Sequence, residues 1–171
     1  MKIFINPGHC PGVDSGAVGN GLKECDVALK IGTKVKNYLE KIGVETVLLQ
    51  VDGLAEIANE ANKSKSDLFV SIHCNSAAVD TARGTETFHW NGSDAGQKLA
   101  SKIQYQITNS IDVVNRGIKT ANYAVLRLTD MPAVLVETAF INNPDDAKLL
   151  VEKEDEFARA IARGVTDYFT C

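Results

Sequence analysis

PAVLVETAF, residues 132–140, is apolar throughout except at Glu137 and Thr138. Alternating apolar and polar residues mark a strand with one wet face. An unbroken run like this one marks a strand buried on both faces, the habit of parallel sheets. KIFI (2–5), ETVLLQ (45–50) and DLFVSIH (67–73) read the same way, and GTETFHW (84–90) and YAVLRL (123–128) complete a set of about six strands. Helical patterns lie between them. Residues 24–42 place Val27, Leu29, Ile31, Val35, Leu39 and Ile42 at three- and four-residue spacing, with Gly43 as the stop. Residues 53–65 follow Asp52 as N-cap candidate, 94–111 follow Ser93, and 144–152 open on Pro144. The last helix, 154–169, carries a stripe of Phe157, Ile161, Val165 and Phe169 that reads as core. Strands alternating with helices of this length predict an α/β fold: a single-domain, twisted, mostly parallel sheet with helices on both faces. The short loop before GTETFHW allows a local antiparallel pairing with DLFVSIH, which makes the sheet mixed.

The chain has 171 residues, enough for one domain with a real core. Its formal charge of −4 argues against a general nucleic-acid binder. No apolar run approaches the roughly 18 residues of a membrane span, and no signal-peptide pattern precedes the first strand. The four cysteines, Cys10, Cys25, Cys74 and Cys171, fall in no CxxC spacing and are expected to be reduced and mostly buried.

Ligands of open α/β sheets gather at the carboxyl ends of strands. His9 stands just past the first strand, in the turn NPGHCPG (6–12), and His73 ends DLFVSIH. A surface histidine and a packed core histidine are the plain alternatives. Glu137 is the odd residue: a carboxylate where a buried strand wants an aliphatic side chain. Such a group is paired, metal-bound or protonated. Glu24 opens the first helix, where an acidic residue is favoured by the helix dipole alone. If the strands are parallel neighbours, one rim collects two imidazoles and a carboxylate. Two His and one carboxylate make a three-ligand zinc site with an open fourth position, and a second carboxylate is then left as base. The spacing excludes HExxH.

NPGHCPG…GAVGNGLKE, DLFVSIHCNSA, GTETFHW, NRGIK, AVLR and MPAVLVETAFINN resemble, in order, the motifs of the zinc-dependent N-acetylmuramoyl-L-alanine amidases of the Amidase_3 type, from about Lys2 to Phe169. That resemblance implies one Zn2+ held by His9, Glu24 and His73, with Glu137 as the catalytic glutamate. It implies hydrolysis of the amide between N-acetylmuramic acid and L-alanine in peptidoglycan. The expected organisation is one catalytic domain, 1–171, without a separate cell-wall-binding domain. The expected partner is peptidoglycan, the expected state a monomer, and the expected place of action the cell wall, as for a leaderless lysin or autolysin. The chain departs from the pattern at Cys10 and Pro11, where glycines are usual, and at Thr138, where Gly commonly follows the glutamate. Cys10, Cys25 and Cys74 each adjoin an implied ligand, although neighbouring strand residues point to opposite faces. Asn75 is a candidate to bond a sugar or peptide carbonyl, or else caps the strand end. Arg116 is a candidate for bidentate contact with a stem-peptide carboxylate, with Lys119 a weaker one. His89 and Trp90 line the groove or simply pack. Two other readings share these residues: a zinc metallocarboxypeptidase, and a wall-binding module that kept the fold without the chemistry.

Overall fold

The computed structural model describes residues 1–170. In chain order the elements are β1 (Lys2–Pro7), β2 (Val18–Gly19), β3 (Leu22–Lys23), α1 (Glu24–Lys41), β4 (Glu45–Leu48), α2 (Leu54–Ser64) and β5 (Leu68–Asn75). They continue with β6 (Thr85–His89), α3 (Asp94–Ser110), β7 (Asn115–Thr120), α4 (Ala124–Arg127), β8 (Ala133–Phe140), α5 (Pro144–Glu152) and α6 (Glu154–Thr170). Six strands form one sheet in the order β4-β1-β5-β8-β6-β7, and β2 and β3 form a separate small hairpin. From β4 to β8 all neighbours are parallel. β6 then runs antiparallel to β8 and parallel to β7. The sheet is mixed, as the sequence predicts, but the antiparallel neighbour of β6 is β8 and not β5.

Period-two alternation sends each strand's residues to two different layers. Ile3, Ile5, Val70, Ile72, Val134 and Val136 face α1, α3 and α6 and join one large aliphatic core. Phe4, Phe69, Ala133 and Leu135 face the other way, into a smaller core with Ile57 and Ala61 of α2 and Val125 and Leu126 of α4. Full burial of one such side chain contributes about 1.5–3 kcal/mol. α2 and α4 cover only part of their face.

Several expectations are corrected. YAVLRL is not a strand: Ala124–Arg127 form the single turn α4. A short apolar run does not distinguish a buried strand from a buried helical turn. The sixth strand is instead NRGIKT, β7, a half-exposed edge whose polar residues carry no buried-strand signal. Asp52 does not cap α2, whose N-cap is Gly53 with no side-chain bond. Ser93 does cap α3, accepting from the Gly96 N–H, and Pro144 sits in the first turn of α5 behind an Asn143 cap. Phe157, Ile161 and Val165 are fully buried, whereas Phe169 is 45% exposed near the end of α6. Cys25 and Cys74 are buried and free, Cys10 is half-buried and free, and Cys171 lies outside the described residues. Among the described residues no helix is long and apolar enough to cross a membrane.

Candidate metal centre

The carboxyl ends of β1, β5 and β8 lie side by side, and that alone brings His9, His73 and Glu137 to one rim. His9 adopts a left-handed backbone, φ 59°. The turn that holds it is closed by a two-way backbone bridge between Cys10 and Asp14. The Asp14 carboxylate accepts from His9 Nδ1 at 2.6 Å and from the Gly16 N–H at 2.9 Å. His9 Nε2 is thereby turned toward Glu24 Oε2, 3.2 Å away. Glu24 is the first residue of α1 and only 4% exposed. Its Oε2 accepts from the Ala17 N–H at 2.8 Å, and its Oε1 meets the Cys74 N–H at 3.1 Å and His73 Nδ1 at 2.8 Å.

Two glycines make this convergence sterically feasible. A Cβ on Gly8 would stand 2.3 Å from the His73 ring. One on Gly16, where φ is +65°, would meet the His9 ring at 2.5 Å and Glu24 Oε2 at 2.6 Å.

Electrostatics follow from this packing. Burial opposes ionisation of Glu24, but bonds from His73, His9 and Ala17 outweigh it and hold the carboxyl well below the usual range. His9 is raised to about 9, chiefly by its contact with Glu24, with Asp14 adding to it against the opposing effect of burial. Glu137 goes the other way: burial pushes it up to about 7. Its Oε2 is sealed from solvent and has no hydrogen-bond partner among the described residues. His9, His73 and Glu137 line a single cavity of about 430 Å3. Asp14 and Asn6 also line it, and Val51, Leu54, Ile57, Tyr123, Val125 and Leu135 form its apolar side.

One ligand atom from each of His9, Glu24 and His73 lies within 4.8 Å of the others. Two imidazoles and one carboxylate around one point are the donor set of catalytic zinc, which keeps a fourth position open. The residues present therefore fit a divalent ion of zinc's chemistry. The Glu24 carboxylate lies between the two rings and contacts both. Asp14 fixes the His9 ring and its tautomer, as outer carboxylates do for the histidines of metal sites. The sequence reading missed it, because a carboxylate five residues downstream in a Gly/Pro turn carries no spacing signal.

Asn75 and Arg116 do not line the cavity. Both turn to Glu86 of β6, a residue likewise absent from the sequence reading. Glu86 is 3% exposed and lies directly opposite Glu137 in the β6–β8 pairing. Asn75 Nδ2 donates to its Oε1 at 2.6 Å, Arg116 Nε donates to its Oε2 at 3.0 Å, and Lys119 Nζ donates to the same Oε2. Burial disfavours its charge, yet Lys119 and Arg116 outweigh burial and hold the carboxyl low. His89 is buried, with Nδ1 at 3.0 Å from the Trp90 carbonyl oxygen, and takes no part in the cavity lining.

Comparison with known proteins points to one family. The family model described as Amidase_3, N-acetylmuramoyl-L-alanine amidase, matches residues 3–167. The N-acetylmuramoyl-L-alanine amidase LytC of Bacillus subtilis (strain 168) is 39% identical over 98% of this chain, which spans 35% of LytC. The endolysin of Bacillus phage SPP1 is 39% identical over 95% of this chain, which spans 62% of that protein. The solved structure of the N-acetylmuramoyl-L-alanine amidase AmiC2 of Nostoc punctiforme superposes with a TM-score of 0.93 at 37% identity, covering 100% of this chain and 98% of that one.

Proposed function

Because the chain belongs to the Amidase_3 family of N-acetylmuramoyl-L-alanine amidases, we propose that it hydrolyses the amide joining the lactyl group of N-acetylmuramic acid to L-alanine in peptidoglycan. His9, Glu24 and His73 hold one zinc ion, and Glu137 is the general base and acid. The observation that supports this most directly is the convergence of three ligand atoms within 4.8 Å beside a sealed, unpartnered carboxylate oxygen. Zinc, when bound, acts as a Lewis acid toward the scissile carbonyl and acidifies water.

The chain's own residues do the rest. Asp14 and the Gly16 turn hold the His9 ring in place. Glu137 is raised by burial to about 7 in the metal-free protein, so both its protonated and its ionised forms are accessible near neutrality. It takes the proton of the attacking water and returns it to the departing alanine nitrogen. The apolar side chains of the cavity, Val51 and Leu135 among them, lower the local dielectric and so strengthen these charges. A carboxypeptidase needs a cation beside the metal for a free terminal carboxylate, and among the described residues no Lys or Arg lines the cavity.

The test is hydrolysis of purified sacculi by the zinc-loaded protein. The expected product is a stem peptide with a new N-terminal alanine, at one zinc per chain by elemental assay. Sacculi left intact, or cleavage at another bond, would refute this reading.

A further inference from the structure

We propose that Arg116 and Lys119, anchored on the buried carboxylate of Glu86, form a subsite for a free carboxylate on the stem peptide's second residue. This inference rests on the amidase reading above.

The surface that carries it is the part of the sheet left bare by α2 and α4. Across it, perpendicular to the strands, His73 of β5 pairs with Glu137 of β8, and Glu137 with Glu86 of β6. The heads of Arg116 and Lys119 reach back from β7 onto Glu86. An extended substrate that crosses this row leaves the metal centre and meets Glu86 and its cations next. One strand spacing plus one ion-pair length puts those heads roughly 8 Å beyond Glu137. An extended peptide covers that distance in about two residues at ~3.4 Å each. A carboxylate on the residue after the alanine is therefore in register with them.

The cluster has the charge and the rigidity for this. Two cations face one anion, so a single positive charge remains. Glu86 takes three donors and is buried, which fixes both cationic side chains before any ligand arrives. The guanidinium also lies over the Phe140 ring at 4.9 Å. Arg116 spends Nε on Glu86 and Nη1 on the Arg83 carbonyl at a long 3.5 Å, and among the described residues no hydrogen-bond partner holds Nη2. Both side chains keep substantial exposure, 34% for Arg116 and 41% for Lys119. Asn75 then serves as the third donor that holds Glu86, not as a group on the sugar.

The experiment compares a matched pair of disaccharide tetrapeptides, one with a free carboxylate on the second residue and one with the carboxamide. The zinc-loaded full chain should prefer the carboxylate by roughly tenfold or more in kcat/KM, the worth of a charge-assisted pair. That preference should shrink as salt rises. Arg116→Gln and Lys119→Met should each bring the ratio of the two kcat/KM values toward one. Equal use of both compounds by the unaltered protein overturns the subsite and leaves the amidase reading standing. Variants that slow both compounds by the same factor assign the cations a purely structural role and also overturn it. Hydrolysis of neither compound removes the amidase reading, and this one with it.

Discussion

The two faces of the sheet are built from the same strands and do opposite things. On one face, Val134 and Val136 of β8 and Val70 and Ile72 of β5 are sealed beneath α1, α3 and α6. On the other, the alternate positions of the same strands carry His73 and Glu137, with Glu86 beside them on β6. Only Phe69, Ala133, Leu135 and their neighbours near the other end of that face lie under α2 and α4. The covered face stabilises the fold by apolar burial. The half-bare face accepts a costly arrangement of charges, and the covered face offsets that cost.

Substitutions can separate the two roles. The largest effect belongs to Glu137→Gln. Turnover on sacculi should fall by about 10²–10⁴-fold, the usual worth of a general acid–base group, while the zinc content of the purified protein stays unchanged. The same change should raise stability in the metal-free protein. The Glu137 pKa is raised from 4.5 to about 7 in the fold. The folded state therefore holds its proton more tightly, and the cost of ionising it grows as pH rises from 4.5 to 7 and stays in full above. Thermal melts of parent and variant should coincide near pH 4, separate as pH rises from 4.5 to 7, and stay apart above pH 7 by on the order of 1–3 kcal/mol in favour of the variant.

Next in size, Phe157→Ala on the covered face should cost about 3–5 kcal/mol in denaturant titrations. The zinc affinity of the molecules that remain folded should not change. If affinity fell in proportion, the two faces would be coupled and the contrast would fail.

A smaller effect comes from the turn. Asp14→Ala should weaken zinc binding by about 10–100-fold in chelator competition, and Asp14→Asn, which keeps an acceptor for His9 Nδ1, should recover part of it. Smallest is the response to pH. His9, raised to about 9, carries a proton at pH 7.5 that must leave when metal binds. Affinity should thus rise with pH by up to about tenfold per unit until His9 titrates near 9, then level off. Calorimetry in two buffers of different ionisation enthalpy should count about one proton released at pH 7.5.

Much of this was legible in the chain. PAVLVETAF and DLFVSIH announce buried strands because both their faces are apolar along most of their length. Glu137 stands out because it breaks such a run, and His9 because a Gly/Pro turn gives an imidazole nowhere to pack. Glu24 is different. Nothing in its helical position signals burial, yet it accepts the Ala17 N–H from the turn just before the helix and the Cys74 N–H from β5, far off in sequence. Family resemblance singled it out where periodicity could not. Glu86 and β7 stayed hidden for a related reason: each owes its role to a partner across space. Asp14 stayed hidden because its contact with His9, five residues away in a turn, follows no regular spacing. The turn α4 was misread because an apolar run of six residues fits a strand and a helical turn equally well.

The pleat of β5 also has a chemical consequence. Cys74 follows His73 directly, yet its sulfur points to the opposite layer, 3.6 Å from Thr138 Oγ1, where burial pushes the thiol far up. A soft ion such as cadmium or mercury entering the cavity finds nitrogen and oxygen there, with that sulfur shut away behind the backbone. Alkylating reagents face the same barrier. The strand acts as a steric barrier, so a thiol next to His73 in sequence is spared the reagents that enter the cavity.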